Sequence, residues 1–228
     1  MFYNEAISAG AAGKIPFAEE TDLSKTELNM PLILDGERWA YGGDQEWCPT
    51  AWHRLCGCGP TCGANLAAYY ALNRPSMRGL YRGSVEPFSK QEYTDAIEDV
   101  FRFITPSYLG FPYAGRFASR FRAYALDHGV KLTAHGCGNA GTPQQMFDFT
   151  RCTIDAGDPA ALLILRHRAP ELADDNWHWV TISGYCEGEG EPQVILSNCG
   201  EREVRPASLL FERNPKNTVR ILCFRELR

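Results

Sequence analysis

The chain lacks any apolar run near the roughly 20 residues that a membrane-crossing helix needs, so no membrane partner is expected. It also lacks a basic run longer than two residues and carries a net charge of -5, which argues against nucleic acid as a partner. The first residues, Met1-Phe2-Tyr3-Asn4-Glu5, place an acid where a secretory signal carries positive charge, and no apolar core follows. A cytoplasmic location is the resulting expectation. An even, regularly spaced cysteine framework is missing too. The 9 cysteines are odd in number and spread from Cys48 to Cys223, unlike a small disulfide scaffold. Cys186 and Cys223 lie in or beside apolar runs and read as buried reduced thiols.

What is present is enough apolar material for a sizeable core: 228 residues, 44% of them hydrophobic, a length compatible with one domain. The most informative stretch is Gly57-Cys58-Gly59-Pro60-Thr61, which opens onto the small-residue helical run Cys62 to Tyr70. A cysteine at a helix N-terminus sits at the positive end of the backbone dipole, beside N–H groups without intrahelical partners. Both effects favour thiolate, the nucleophilic form. Taken alone, Cys58 could equally be a structural cysteine in a turn. A candidate base and a candidate orienter further along the chain raise it above that reading.

The run Trp177-His178-Trp179-Val180-Thr181-Ile182-Ser183-Gly184-Tyr185 alternates like a strand, with His178 at its start. Val194 to Leu196 is a second apolar strand, ending in Ser197-Asn198-Cys199-Gly200. The Gly- and Glu-rich segment 187–192 between them reads as a tight solvated turn, which makes the two strands an antiparallel hairpin. That hairpin can bring Asn198 beside His178. The expected contact is from imidazole Nδ1–H to the Asn198 oxygen, leaving Nε2 to face the cysteine.

Cys58 in Gly-Cys-Gly-Pro-Thr, the His178 strand ending in Gly-Tyr, and Asn198 after the next strand together resemble the papain-like cysteine peptidases. The similarity is greatest to the bacterial branch that includes the bacteriocin-leader-processing peptidases; phytochelatin synthase has a similar Cys-Gly helix start. The resemblance covers about positions 55–73 and 176–200. It implies nucleophile Cys58, base His178 and orienter Asn198, with Cys62 a helix-face residue. It implies no cofactor and a peptide or small amide as substrate. One feature departs from the pattern: no Gln stands at papain-like spacing before Cys58 to complete an oxyanion site. Asp35, after the Met30–Leu34 strand, is a poor donor, which leaves Gln45, His53 or Arg54, with Gln45 the preferred candidate.

The fold expected is α+β: a papain-like arrangement with a central nucleophile helix packed on an antiparallel sheet, and a helical insertion. A single domain 1–228 divides into a nucleophile loop and helix (29–75), a mostly helical insertion (76–158) and a sheet carrying His178 and Asn198 (159–228). Residues 1–28 read as a surface arm and 35–55 as a long loop walling a cleft. Ser89-Lys90-Gln91-Glu92 is a capping-box pattern, and Thr142-Pro143 opens another helix that Gly157 closes. The aromatic loop Tyr108-Leu109-Gly110-Phe111-Pro112-Tyr113 is the candidate for substrate contact, and Asp174 and Asp175 could favour a basic group near the site.

The function expected is cleavage of a peptide or amide bond through a Cys58 thioester. An acyltransferase using the same thioester and a catalytically silent peptide-binding module are the alternatives. A third reading, structural zinc held by Cys48, Cys56, Cys58, Cys62 and His53, meets a spacing problem. Cys56-x-Cys58 is too tight for the common knuckle, although Cys58-x₃-Cys62 is within range.

Overall fold

The computed structural model describes residues 24–108, 110–138 and 141–227. In chain order the strands are β1 (Ser24–Glu27), β2 (Leu32–Asp35), β3 (Arg38–Tyr41), β4 (Leu132–Gly138), β5 (Ala160–Arg166), β6 (His178–Glu187), β7 (Gln193–Asn198), β8 (Glu201–Pro206) and β9 (Thr218–Glu226). The helices are α1 (Ala51–Cys56), α2 (Cys58–Asn73), α3 (Lys90–Phe101), α4 (Ala114–Asp127), α5 (Pro143–Asp155) and α6 (Ala207–Leu210). The main sheet runs β4-β9-β5-β6-β7-β8 with every pairing antiparallel, and β2–β3 form a separate hairpin. The architecture is α+β.

Strand alternation divides the core between the two faces of this sheet. Ala161, Leu163, Trp179, Leu222 and Phe224 pack with α2, α3 and α4, whereas Ala160, Leu162, Ile164, Val180, Ile182 and Ile221 pack with α5 and α6. A sheet covered on both faces explains why β5 reads as a nearly continuous apolar run. Helix α2 is itself buried all round, from Gly59 to Ala71, as expected for a central helix rather than a surface one.

The structure refines three expectations. The mostly helical segment 76–158 also contributes to the sheet: β4 lies within it and pairs with β9 from Leu132↔Glu226 to Gly138↔Arg220. The short Leu-Thr-Ala-His-Gly run has too little apolar alternation to announce itself, and β9 supplies the partner that makes it a strand. The segment 35–55 is not a plain loop, since it holds β3, a 3₁₀ turn at Gln45–Trp47 and α1. Of the arm, residues 1–23 lie outside the described residues, while Ser24–Glu27 pair with the second half of β6. Glu27 anchors this strand through Arg202, Lys25 and the Tyr41 hydroxyl. The helix-start signals hold in different degrees. Thr142 and Gln145 form a reciprocal capping box on α5; Ser89 caps α3 through the Glu92 N–H.

One buried side chain locks α2 in place. Asn65 Oδ1 accepts from the Gly43 N–H and the Tyr93 hydroxyl, both at 2.8 Å. Its Nδ2 donates to Thr181 Oγ1 at 3.3 Å and Ser197 Oγ at 3.2 Å. Ser197 in turn donates to the Tyr41 carbonyl at 2.6 Å. Gly42 has φ 78°, and a Cβ there would press on Ser197 and Asn65, so only glycine lets this backbone approach so closely. Replacing Asn65 by Ala leaves several buried donors and acceptors unpaired. We expect a loss of about 2–4 kcal/mol in urea unfolding, and a loss below about 1 kcal/mol would contradict this account.

Candidate functional site

Cys58 is the first residue of α2, with Gly57 before it and Pro60 in the first turn, where the missing N–H costs no helical bond. Its Sγ lies 3.9 Å from the Trp177 carbonyl oxygen, at the end of the sheet where β6 begins. His178 opens β6 directly after Trp177, which has a left-handed φ of 64°. For a bulky aromatic residue that conformation is strained by of order 1–3 kcal/mol. Loop and strand are also tied together, because the Trp179 indole N–H donates to the Phe111 carbonyl at 2.7 Å.

The structure joins His178 to Asn198 and places Cys58 against Trp177, the residue before His178. Asn198 Oδ1 lies 2.8 Å from His178 Nε2, and the Cys58 sulfur lies 3.9 Å from the carbonyl of Trp177. The ring is turned the other way from the sequence expectation: Nε2, not Nδ1, meets Asn198. The reason lies in the register. Thr181 pairs with Ser197, so Asn198 is a diagonal neighbour of His178 across the sheet, and the distal ring nitrogen is the one that spans the gap.

Asn198 is itself held. Its Nδ2 donates to Asp175 Oδ1 at 3.2 Å and to Glu203 Oε1 at 3.0 Å, and Glu203 is paired with Arg205. Two carboxylates on the amide nitrogen leave Oδ1 as the atom that faces the ring, and so set Nε2 as a proton-bearing nitrogen. Asp175, expected to attract a basic group, instead spends one oxygen on this amide.

Burial works against a charged imidazole, but hydrogen bonds involving the Cys199 and Cys58 sulfurs outweigh it and raise the His178 pKa from 6.5 to about 11. The remaining thiols in the cluster behave differently. Burial pushes Cys48 and Cys62 up to about 12, keeping both protonated, and Cys62 Sγ faces the Val180 carbonyl at 3.4 Å. Among the described residues no group of three His, Cys, Asp or Glu side chains is placed to hold a metal ion.

Of the three candidate oxyanion donors, two are committed elsewhere. His53 Nδ1 pairs with Glu98 at 2.8 Å and its ring stacks on Phe101, while Arg54 donates to the Cys48 and Pro49 carbonyls. Asp35 is bound by Lys90 and the Trp47 indole. Gln45 is different. Its Oε1 is buried without a partner, and its Cβ would lie 3.1 Å from a Cβ at Gly57, the residue before the nucleophile candidate. Sequence reasoning missed three contributors: Glu203, the anchoring role of Asp175, and Cys199, whose Sγ is 3.9 Å from His178 Nε2. Their only sequence signal was proximity to Asn198 or His178. A cavity of about 460 Å³ lined by Arg82, Asp95, Asp99, Arg102 and Tyr124 includes none of these residues.

Because the Cys58 sulfur helps to hold the ring proton, Cys58→Ser should lower the His178 pKa. Imidazole NMR over pH 5–11 reads this directly, and an unchanged titration would contradict the contact.

Among the described residues, no helix is long and apolar enough to cross a membrane. No protein-family model matches the chain, and no curated protein matches it. Among solved structures it is similar to the crystal structure of the Pseudomonas avirulence protein AvrPphB, at 13% sequence identity and a TM-score of 0.37, over 72% of this chain and 90% of that one. A likeness this slight assigns neither fold nor activity to the chain.

Proposed function

We propose that the protein is a papain-like cysteine hydrolase that cleaves a peptide or amide bond through a thioester on Cys58. The observation that carries this reading is the His178 ring, bonded at Nε2 to a clamped Asn198 and directly following Trp177, whose carbonyl lies 3.9 Å from the Cys58 sulfur at the N-terminus of a buried helix. In this reading the ring takes up the Cys58 thiol proton, and the sulfur attacks as thiolate.

In this mechanism the Cys58 thiolate attacks the carbonyl carbon. The tetrahedral oxyanion is met by the Cys58 backbone N–H and, in our reading, by the Gln45 side-chain amide. His178 then gives its Nδ1 proton to the departing nitrogen, the C–N bond breaks, and the amine leaves a thioester behind. Water attacks the thioester while Nδ1 takes its proton. The acid is released and the thiolate–imidazolium pair returns. Asn198 keeps its bond to Nε2 throughout.

Substrate contact falls to the aromatic surface beside the nucleophile. Tyr108 is 89% exposed, Tyr113 and Trp177 are exposed, and Trp52 and Leu55 are exposed on α1 just before Cys58. The loop carrying Tyr108 and Tyr113 is seated against the nucleophile helix, since a Cβ at Gly59 would lie 3.6 Å from Phe111 Cβ. Leu109, part of the sequence expectation, lies outside the described residues. A cluster of exposed apolar side chains around one sulfur favours a substrate with bulky apolar groups near the bond to be cut.

Brief iodoacetamide treatment at pH 6 should alkylate Cys58 about tenfold or more faster than the exposed Cys152, as peptide mapping would show. Cys58→Ala should abolish turnover in a screen of peptide and acyl-amide reporters. Equal labelling of both cysteines would overturn the ion pair. Gln45→Ala should lower kcat by about 10²–10³ while leaving Cys58 alkylation at pH 6 intact; an unchanged kcat would remove Gln45 from the oxyanion site.

A further inference from the structure

Cys199 occupies a position that a cysteine has no local reason to fill. Asn198 pairs with Glu201, so Cys199 and Gly200 form the two-residue turn between β7 and β8, with φ values of 45° and 76°. Two successive left-handed residues make a type I′ turn, whose preferred sequences are Asn-Gly, Asp-Gly and Gly-Gly. Glycine at 200 fits. Cysteine at 199 carries a Cβ into left-handed backbone and does not serve the turn as an Asn side chain does. Its sulfur instead lies 3.9 Å from His178 Nε2, on the ring edge that also meets Asn198. An unfavourable backbone conformation kept beside a reactive ring points to a role for the side chain.

We propose that Cys199 is a positioning residue for the reaction at Cys58, a second sulfur set against the Nε2 edge of the His178 ring beside Asn198. This rests on the cysteine hydrolase reading above. The two partners at Nε2 divide the work by distance. Asn198 Oδ1, at 2.8 Å, takes the N–H and sets the ring angle. The sulfur, at 3.9 Å, is too far to dominate the orientation and acts through its polarisable electron density. The titratable groups facing the ring are therefore Cys58 from α2 and Cys199 from the turn. Asp175 and Glu203 stand one hydrogen bond further out, on the Asn198 amide. At its Nε2 edge the imidazolium is thus stabilised by a sulfur that takes no part in bond breaking. The Nδ1 proton then remains available for the leaving group in the tetrahedral intermediate, where Cys58 is bonded to carbon and its own charge is gone. Cys199 is thus the group that sustains the acid at the step where the first sulfur no longer can.

The arrangement makes stability and ionisation move in opposite directions. Cys199→Asn converts the turn to Asn-Gly, which suits type I′ geometry, while it removes the sulfur from the ring. Full-length wild type, Cys199→Asn and Cys199→Ser are compared by thermal unfolding, by imidazole NMR of His178, and by the pH profile of Cys58 alkylation with iodoacetamide, mapped by peptide mass. We expect Cys199→Asn to unfold at the same or a higher temperature. Its His178 pKa should fall by about one unit, with alkylation of Cys58 at pH 6 slowed about tenfold; Cys199→Ser should fall between it and wild type. A purely structural residue would shift the melting temperature alone. A His178 titration and a Cys58 alkylation profile that coincide with wild type in both variants overturn the inference and leave the hydrolase reading standing. Wild-type Cys58 labelled no faster than Cys152 at pH 6 overturns both.

Discussion

The carboxamide of Asn65 is the contact on which the rest of the site depends. It lies inside a helix that is buried on every side, and its four hydrogen bonds reach the Gly43 backbone, α3, β6 and β7 at once. A buried amide with both donors and both lone pairs satisfied has one orientation, because any rotation strands several polar groups away from water. The helix therefore cannot slide or turn relative to the strands that carry His178 and Asn198. Cys58 stands two turns before Asn65 on that helix, so its sulfur inherits this fixed position.

Beyond the spine, a second set of hydrogen bonds fixes orientation rather than position. Asp175 and Glu203 take the nitrogen end of Asn198, which turns its oxygen to His178 Nε2. Each link is a separate acid–amide or amide–imidazole bond, and each specifies the next. Strain is concentrated in the same place. Trp177 and Cys199, the two described non-glycine residues with left-handed backbone, directly precede His178 and directly follow Asn198. The surrounding sheet, paired on both edges of β6, is what holds these conformations in place.

Much of the fold could be read from local pattern. The helix from Cys58 to Asn73, the helix start at Thr142-Pro143, the near-continuous apolar run of β5 and the alternation in β6 are all near-neighbour signals, and the structure contains each of them. Strand β4 was not legible, because Leu132–Gly138 has weak alternation and is a strand only by virtue of its pairing with β9 some 90 residues later. Strand β3 and helix α1 were hidden in a stretch where Trp, Gly and Pro read as loop. They depend on pairing with β2 and on the Thr50 cap.

From the sequence alone came a cysteine at the head of a helix, a histidine at the head of a strand and an asparagine at the end of the next, since helix starts and strand alternation are properties of adjacent residues. Only the tertiary structure decided which ring nitrogen meets Asn198, that two carboxylates grip its amide, that His53 and Arg54 are occupied while Gln45 is not, and that a second sulfur reaches the ring. Those outcomes turn on strand register, side-chain rotamers and distances of a few ångströms between residues up to more than a hundred positions apart, and periodicity along a chain carries no information about them.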